Sequence, residues 1–186
     1  MLEPRIQQHF FESADLMYQV AEHLSRPIAE AAQAVTACLT SGGRLLVHAH
    51  GGDELARLVC DRLLAGFERP RPPLAAWPLG VSNGPEAALQ LQALGQAGDL
   101  LLLLCPLDDD ALAASLIEQA HAKDMSVVMF SGGMGGRWPS LLRDTDVWVA
   151  VPHERRARVQ EVHLLALHAL CDAIDLQLLG EADAEA

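Results

Sequence analysis

Aromatic side chains are few. Phe, Trp and Tyr make up 4% of the 186 residues, which argues against a large all-β protein, where they are enriched. Cations are scarce as well: 13 Lys and Arg face 25 Asp and Glu, a formal net charge of −12. Nucleic-acid backbones and anionic bilayers both require clustered cations, so direct binding to either is disfavoured. The four cysteines, Cys38, Cys60, Cys105 and Cys171, form no CxxC pair, which speaks against a zinc knuckle or a redox dithiol. Each stands among apolar neighbours and reads as a reduced core thiol of a cytosolic protein. Long apolar runs are missing too. Leu100–Leu104 is far shorter than a bilayer span. Glu3, Arg5, Glu12 and Asp15 interrupt any signal-peptide core at the start. What is plentiful is ordinary core material. A chain that is 51% hydrophobic and 20% charged can bury a core, and its length suits one domain with a helical extension.

The first forty residues read as two helices. Ile6, Phe10, Ala14 and Met17 fall near helical spacing, and Pro27 suits the first turn of a second helix ending at Ser41-Gly42-Gly43. From Gly43 the pattern changes to strand, glycine turn, helix. Arg44–Val47 is a short strand, His48-Ala49-His50-Gly51-Gly52 a turn, and a helix with Asp53 as N-cap runs to about Gly66. Further strands follow at Leu74–Leu79, Asp99–Cys105, Met125–Phe130 and Asp146–Val151. Helices are expected over Asp108–Lys123 and from about Glu154 to Leu179, with a turn at Ser131–Gly136. This alternation implies an α/β fold with a parallel sheet covered on both faces. Its ligands belong at the carboxyl ends of the strands. The division expected is 1–42 for N-terminal oligomerisation helices, 43–180 for the α/β domain and 181–186 for a disordered acidic tail.

Several stretches carry a resemblance. Arg158-Val159-Gln160-Glu161-Val162-His163 opens the last helix, and Ala93-Leu94-Gly95-Gln96-Ala97-Gly98-Asp99-Leu100-Leu101 precedes the central strand. Phe67-Glu68 with Arg71-Pro72, and Lys123–Val128, add to them. The chain resembles the sugar isomerase (SIS) domain family, in the branch that holds phosphoheptose isomerase and the DnaA initiator-associating protein DiaA. The resemblance implies a three-layer α/β sandwich with a five-stranded parallel sheet, an N-terminal helical extension and a homotetramer.

Against the isomerase pattern the pocket departs. Gly52 stands where the family has a phosphate-binding serine. The second phosphate loop, normally rich in hydroxyls, reads Cys105-Pro106-Leu107-Asp108-Asp109-Asp110. One like-charge pair ~4 Å apart costs about 4 kcal/mol at an effective dielectric of ~20, so this loop is expected to repel a phosphate. Of the zinc and acid/base positions that the resemblance implies, Gln160 and His168 remain. The earlier His and Glu align with Leu58 and Arg62, which can neither ligate zinc nor act as a base. The stretch between Leu79 and Leu94 lacks the family's Asn-Asp pair.

Individual residues keep two readings. His48 and His50, two apart, are either polar loop residues or metal ligands beside Gln160 or His168. His163 and His168 lie about 140° apart around a helix; His163 is expected to be hydrogen-bonded inside an oligomer interface. Asp108, Asp109 and Asp110 suit a helix N-terminus or a cation. Gly132-Gly133 and Gly135-Gly136 lack the GxGxxG spacing, and no P-loop lysine follows. Arg155, Arg156 and Arg158 read as intersubunit salt-bridge partners. Leu178 and Leu179 align with a hydrophobic initiator-contacting pair.

The expectation is a non-catalytic, cytoplasmic homotetrameric adaptor for the replication initiator DnaA, contacting it through Leu178 and Leu179. No catalytic residue, cofactor, nucleic acid or membrane is expected, and phosphosugar is disfavoured. The candidate pocket is His48, Ala49, His50, Gly51, Gly52, Asp53, Cys105, Asp108, Asp109, Asp110 and Gln160. The alternatives are a sedoheptulose 7-phosphate isomerase-like enzyme, with zinc, and a carbohydrate-derivative-binding SIS module.

Overall fold

The computed structural model describes residues 1–51, 54–80, 84–106 and 110–181. The elements run α1 (Leu2–Thr40), β1 (Leu45–Ala49), α2 (Glu54–Ala65), β2 (Ala76–Pro78), α3 (Gly84–Leu94), β3 (Leu100–Cys105), α4 (Ala111–Ala122), β4 (Ser126–Gly132), α5 (Trp138–Leu141), β5 (Val147–Val151) and α6 (Arg156–Leu179). The five strands form one sheet in the order β2-β1-β3-β4-β5, and every pairing is parallel. The Leu-rich β3 is buried along its whole length, as a central strand covered on both faces must be.

Alternation along the strands divides the core in two. Leu45, Val47, Leu100, Leu102, Leu104, Val128 and Phe130 face one layer, made by α1, α2 and α6. Leu46, Leu101, Leu103, Cys105, Val127 and Met129 face the other, where α3, α4 and Trp138 of α5 pack. The expected three-layer sandwich with an N-terminal helical extension is therefore present.

The extension is one helix, not two. Pro27 lies inside α1, where a proline removes one backbone hydrogen bond and costs about 3 kcal/mol. Leu16, Val20 and Leu24 before it and Ala31, Ala32 and Val35 after it are all buried in the same core. Each large apolar side chain so buried contributes about 1.5–3 kcal/mol, so a stripe continuous in phase outweighs the proline. Strand and helix ends move by one to a few residues. β4 runs on through Ser131 and Gly132, which the sequence reading gives to a turn. Helix α3, from the Ala- and Leu-rich GPEAALQLQAL, was not expected in the short stretch after Leu79.

Two of the resembling stretches prove to be scaffold. Asp99 accepts hydrogen bonds from the Arg44 amide (2.9 Å), the Arg44 guanidinium (2.7 Å) and the Gln96 amide (3.0 Å). It ties β1 to the entry of β3. Arg71 donates to Asp175 at 2.5 Å, both side chains being almost fully buried, and the Phe67 amide donates to the same carboxylate at 3.0 Å. This pair clamps the loop after α2 onto α6. Helix α6 is long and apolar enough to cross a membrane by length and composition. Here it is a core helix, burying Arg158, His163 and Asp175 along with its apolar residues.

Candidate active site

The chain leaves β1 toward β2 on one side and resumes at β3 on the other, so the strand order reverses between β1 and β3. A crevice opens at such a point. The β1–β3 ladder continues one step past the strand, with the His50 amide donating to the Leu104 carbonyl at 2.8 Å. His50 thereby stands beside Cys105. Gly51 follows with φ +80, and the Arg156 guanidinium lies directly against it, where any Cβ would collide. Gly132, at the end of β4, is equally confined: a Cβ there would stand 2.5 Å from the Pro106 carbonyl oxygen.

Asp110 does two jobs. Its Oδ1 accepts from the amides of Leu112 (2.8 Å) and Ala113 (3.3 Å), capping α4. Its Oδ2 meets His50 Nδ1 and lies 3.6 Å from Cys105 Sγ. Burial works to raise the Asp110 carboxyl, but the two amides and His50 outweigh it and hold the group below its ordinary value. Asp110 is thus a carboxylate at neutral pH. The His50 side chain is 31% exposed and Asp110 only 7%. The imidazole is anchored at Nδ1, leaving Nε2 as the nitrogen that Asp110 does not engage.

On the other side of His50 lies a recess of about 40 Å³. Glu54, Gln160 and His163 give it polar walls, and Ala49, Leu55, Leu104 and Pro106 apolar ones. A recess this small is well below the size of whole-ligand sites, which are commonly about 300–1,000 Å³. His163 is fully buried, packed edge-on to Phe130 at 5.7 Å. Burial pushes its pKa down to about 4, so the ring is neutral at pH 7. Its Nε2 is 3.3 Å from the Ser131 carbonyl, which can only accept, so Nε2 carries the proton. Nδ1 is then a buried acceptor without a partner among the described residues.

Of the expected pocket residues, Ala49, His50, Gly51 and Gln160 line the recess, and Cys105 and Asp110 stand behind His50. Gly52, Asp53, Asp108 and Asp109 lie outside the described residues, as do 182–186 of the acidic tail. His48 does not join the site: it is buried, with Nδ1 3.2 Å from the Leu79 carbonyl. Alternation does put it on the same side as His50, but two residues deeper in the strand. His168 does not join it either. Its ring stacks on Phe67 at 5.5 Å, eight residues and about 12 Å along the helix from Gln160.

His163 sits in the protomer's own interior instead of an interface between subunits. Arg155 and Arg158 pair within the chain: Arg155 with Glu12 at 2.9 Å, and Arg158 with Glu161 and with His9 at 2.8 Å. Leu178 packs against the core while Leu179 is 38% exposed, so the two do not form one exposed patch. Glu54, Arg156 and the pocket role of His163 were missed. For His163 a signal existed, because it shares a face with the buried Val159, Ala166, Leu167 and Leu170.

A zinc held in the manner the family resemblance implies does not fit this chain. Leu58 and Arg62 offer no usable donor, Arg62 is exposed, and His168 is turned to Phe67. A different donor set is present: His50, Cys105 and Asp110 bring their ligand atoms within 4.8 Å of one another.

Fold and topology together define an SIS-type α/β domain with a candidate site at the β1/β3 crevice. No family model matches the chain. Curated relatives do. A phosphoheptose isomerase of Methylibium petroleiphilum is 47% identical over 98% of both chains, and one of Azoarcus sp. is 39% identical over 95% of this chain and 96% of its own. A solved phosphoheptose isomerase from Francisella tularensis superposes with a TM-score of 0.88 at 32% identity, over 94% of this chain and 98% of its own. The phosphoheptose isomerase GmhA from Neisseria gonorrhoeae gives 0.86 at 32% identity, over 94% of this chain and 99% of its own. The chain belongs to the SIS-domain phosphoheptose isomerase family. These full-length likenesses overturn the expectation of a non-catalytic initiator adaptor and favour the enzyme alternative. That expectation rested on lost zinc and phosphate groups, and gave no weight to the pairing of His50 with Asp110.

Proposed function

We propose that the protein interconverts sedoheptulose 7-phosphate and the corresponding aldose phosphate. The observation that carries this reading is the His50–Asp110 pair at the edge of the recess. Ketose–aldose isomerisation moves a proton from C1 to C2 through an enediol. It needs one group that takes and returns the carbon-bound proton, a transfer of the hydroxyl proton from O1 to O2, and donors that hold the oxygens meanwhile. His50 Nε2 takes the C1 proton, while Asp110 orients the ring through Nδ1 and stabilises the imidazolium that forms. The Gln160 amide supplies a donor for the carbonyl oxygen as it gains charge. His163 Nδ1 accepts from a substrate hydroxyl. Arg156, at the mouth beside Gly51, supplies the positive charge for the distal phosphate. The repulsion expected from the aspartate loop is reduced at Asp110, whose carboxylate is taken up by the α4 cap and by His50.

We further propose self-association and a cytoplasmic setting. Phe10, Phe11 and Tyr18 of α1 are 61–87% exposed, an apolar face that a second copy would cover. None of the four cysteines forms a disulfide, as in a reducing compartment.

The test is turnover of sedoheptulose 7-phosphate by the metal-stripped protein, beside the unphosphorylated ketose. Conversion is expected for the phosphate, with Arg156→Gln raising KM more than it lowers kcat. A folded protein that converts neither would overturn the reading.

A further inference from the structure

We infer that His50, Cys105 and Asp110 form a binding site for a divalent transition metal of the zinc class. The three residues come from three places: the step after β1, the last residue of β3 and the N-cap of α4. Their donor atoms all lie within 4.8 Å of one another. Donors around a tetrahedral zinc, with bonds of about 2.0–2.3 Å, stand roughly 3.5 Å apart. The Cys105 Sγ to Asp110 Oδ2 distance is already 3.6 Å. Asp110 keeps Oδ1 for the helix cap and has Oδ2 to give, so ligation does not cost the fold its cap.

The donor set names the metal class. One imidazole nitrogen, one sulfur and one carboxylate oxygen suit zinc, cobalt or nickel, whereas calcium and magnesium take oxygen shells. Binding converts the Cys105 thiol to a thiolate and releases one proton. A dication with one thiolate, one carboxylate and a neutral imidazole carries no net charge, which limits the cost of placing it at a site where Cys105 is fully buried. Three protein ligands leave a fourth position open, as in exchangeable sites. Among the described residues, the other thiols join no such set. Burial pushes Cys60 and Cys171 up to about 12 and Cys38 up to about 11.

The metal would take the His50 Nδ1 and Asp110 Oδ2 atoms that face each other in the structure. Metal binding and proton transfer by His50 therefore exclude one another, and a bound metal switches isomerisation off. This inhibition rests on the isomerase reading; the binding does not.

The experiment is a cobalt titration of the full-length, metal-stripped protein, followed by optical absorption and competed with zinc. The expected result is saturation at one equivalent, a thiolate-to-cobalt charge-transfer band, and loss of the band when zinc is added. Cys105→Ser should abolish the band, Asp110→Asn, which retains a helix-capping oxygen, should weaken binding at least about tenfold, and Cys171→Ser should leave both unchanged. Absence of saturable binding by the folded wild type, or a band that survives Cys105→Ser, would overturn the site. Cobalt binding without any turnover of the metal-free protein would leave the site standing and sink the isomerase reading alone.

Discussion

The two ends of the sheet use the same residue type for opposite ends. At the amino edge, Asp99 and Asp146 are saturated by the chain itself. Asp99 takes Arg44 and the Gln96 amide; Asp146 takes the Val127 and Arg143 amides and His121 at 2.7 Å. At the carboxyl edge, Asp110 spends one oxygen on a helix cap and aims the other at His50, and His163 keeps an acceptor with no partner among the described residues. A buried polar group left incomplete costs stability, so an edge that retains such groups is arranged for something other than stability. The stretches that resemble the family include the Asp99 and Arg71–Asp175 anchors, and the departures fall on the carboxyl edge. The scaffold is kept, and the carboxyl edge carries a different cluster of side chains, His50, Cys105 and Asp110.

The largest effect should come from the carboxyl edge. His50→Gln should lower kcat for sedoheptulose 7-phosphate by about 10²–10⁴-fold while barely moving the urea midpoint, since the side chain is 31% exposed. The amino edge should show the reverse. Asp99→Ala strands two amides and the Arg44 guanidinium, and should cost about 3–5 kcal/mol in urea unfolding. A catalytic loss in Asp99→Ala beyond the fraction unfolded would break the distinction between the edges.

Acid sharpens the comparison. The folded His163 pKa is about 4, against an unfolded value of ~6.5. Between those values the unfolded chain binds more protons, so stability falls as pH drops through that window. The loss amounts to about 3 kcal/mol at its foot and is absent above pH 6.5. His163→Phe should flatten this slope in urea titrations at pH 7 and pH 4.5. The smallest effect belongs to the cap: Asp110→Ala should cost about 1 kcal/mol and Asp110→Asn less, both read by thermal unfolding.

Periodicity made the strands, the parallel sheet and its ligand-bearing edge legible, because the buried runs at Leu100–Cys105 and Ser126–Gly132 admit few other readings. It misjudged Pro27, where packing on both sides overrides a local breaker, and passed over α3, whose weakly patterned Ala, Leu and Gln give no clear face. The site was legible by place but not by role. His50 lies 55 positions from Cys105 and 60 from Asp110 along the chain. Only the β1–β3 register brings them side by side. The adaptor expectation failed because lost family residues are visible in a sequence, whereas a new constellation is visible only in three dimensions.

The most direct test of the central claim is conversion of sedoheptulose 7-phosphate in D₂O, followed by NMR, with metal-free wild type and His50→Gln side by side. The rebuilt carboxyl edge predicts an aldose phosphate carrying solvent deuterium at C2, formed by the wild type and about 10²–10⁴-fold more slowly by the variant. No aldose phosphate from a folded wild type, or equal rates from the two proteins, would contradict it.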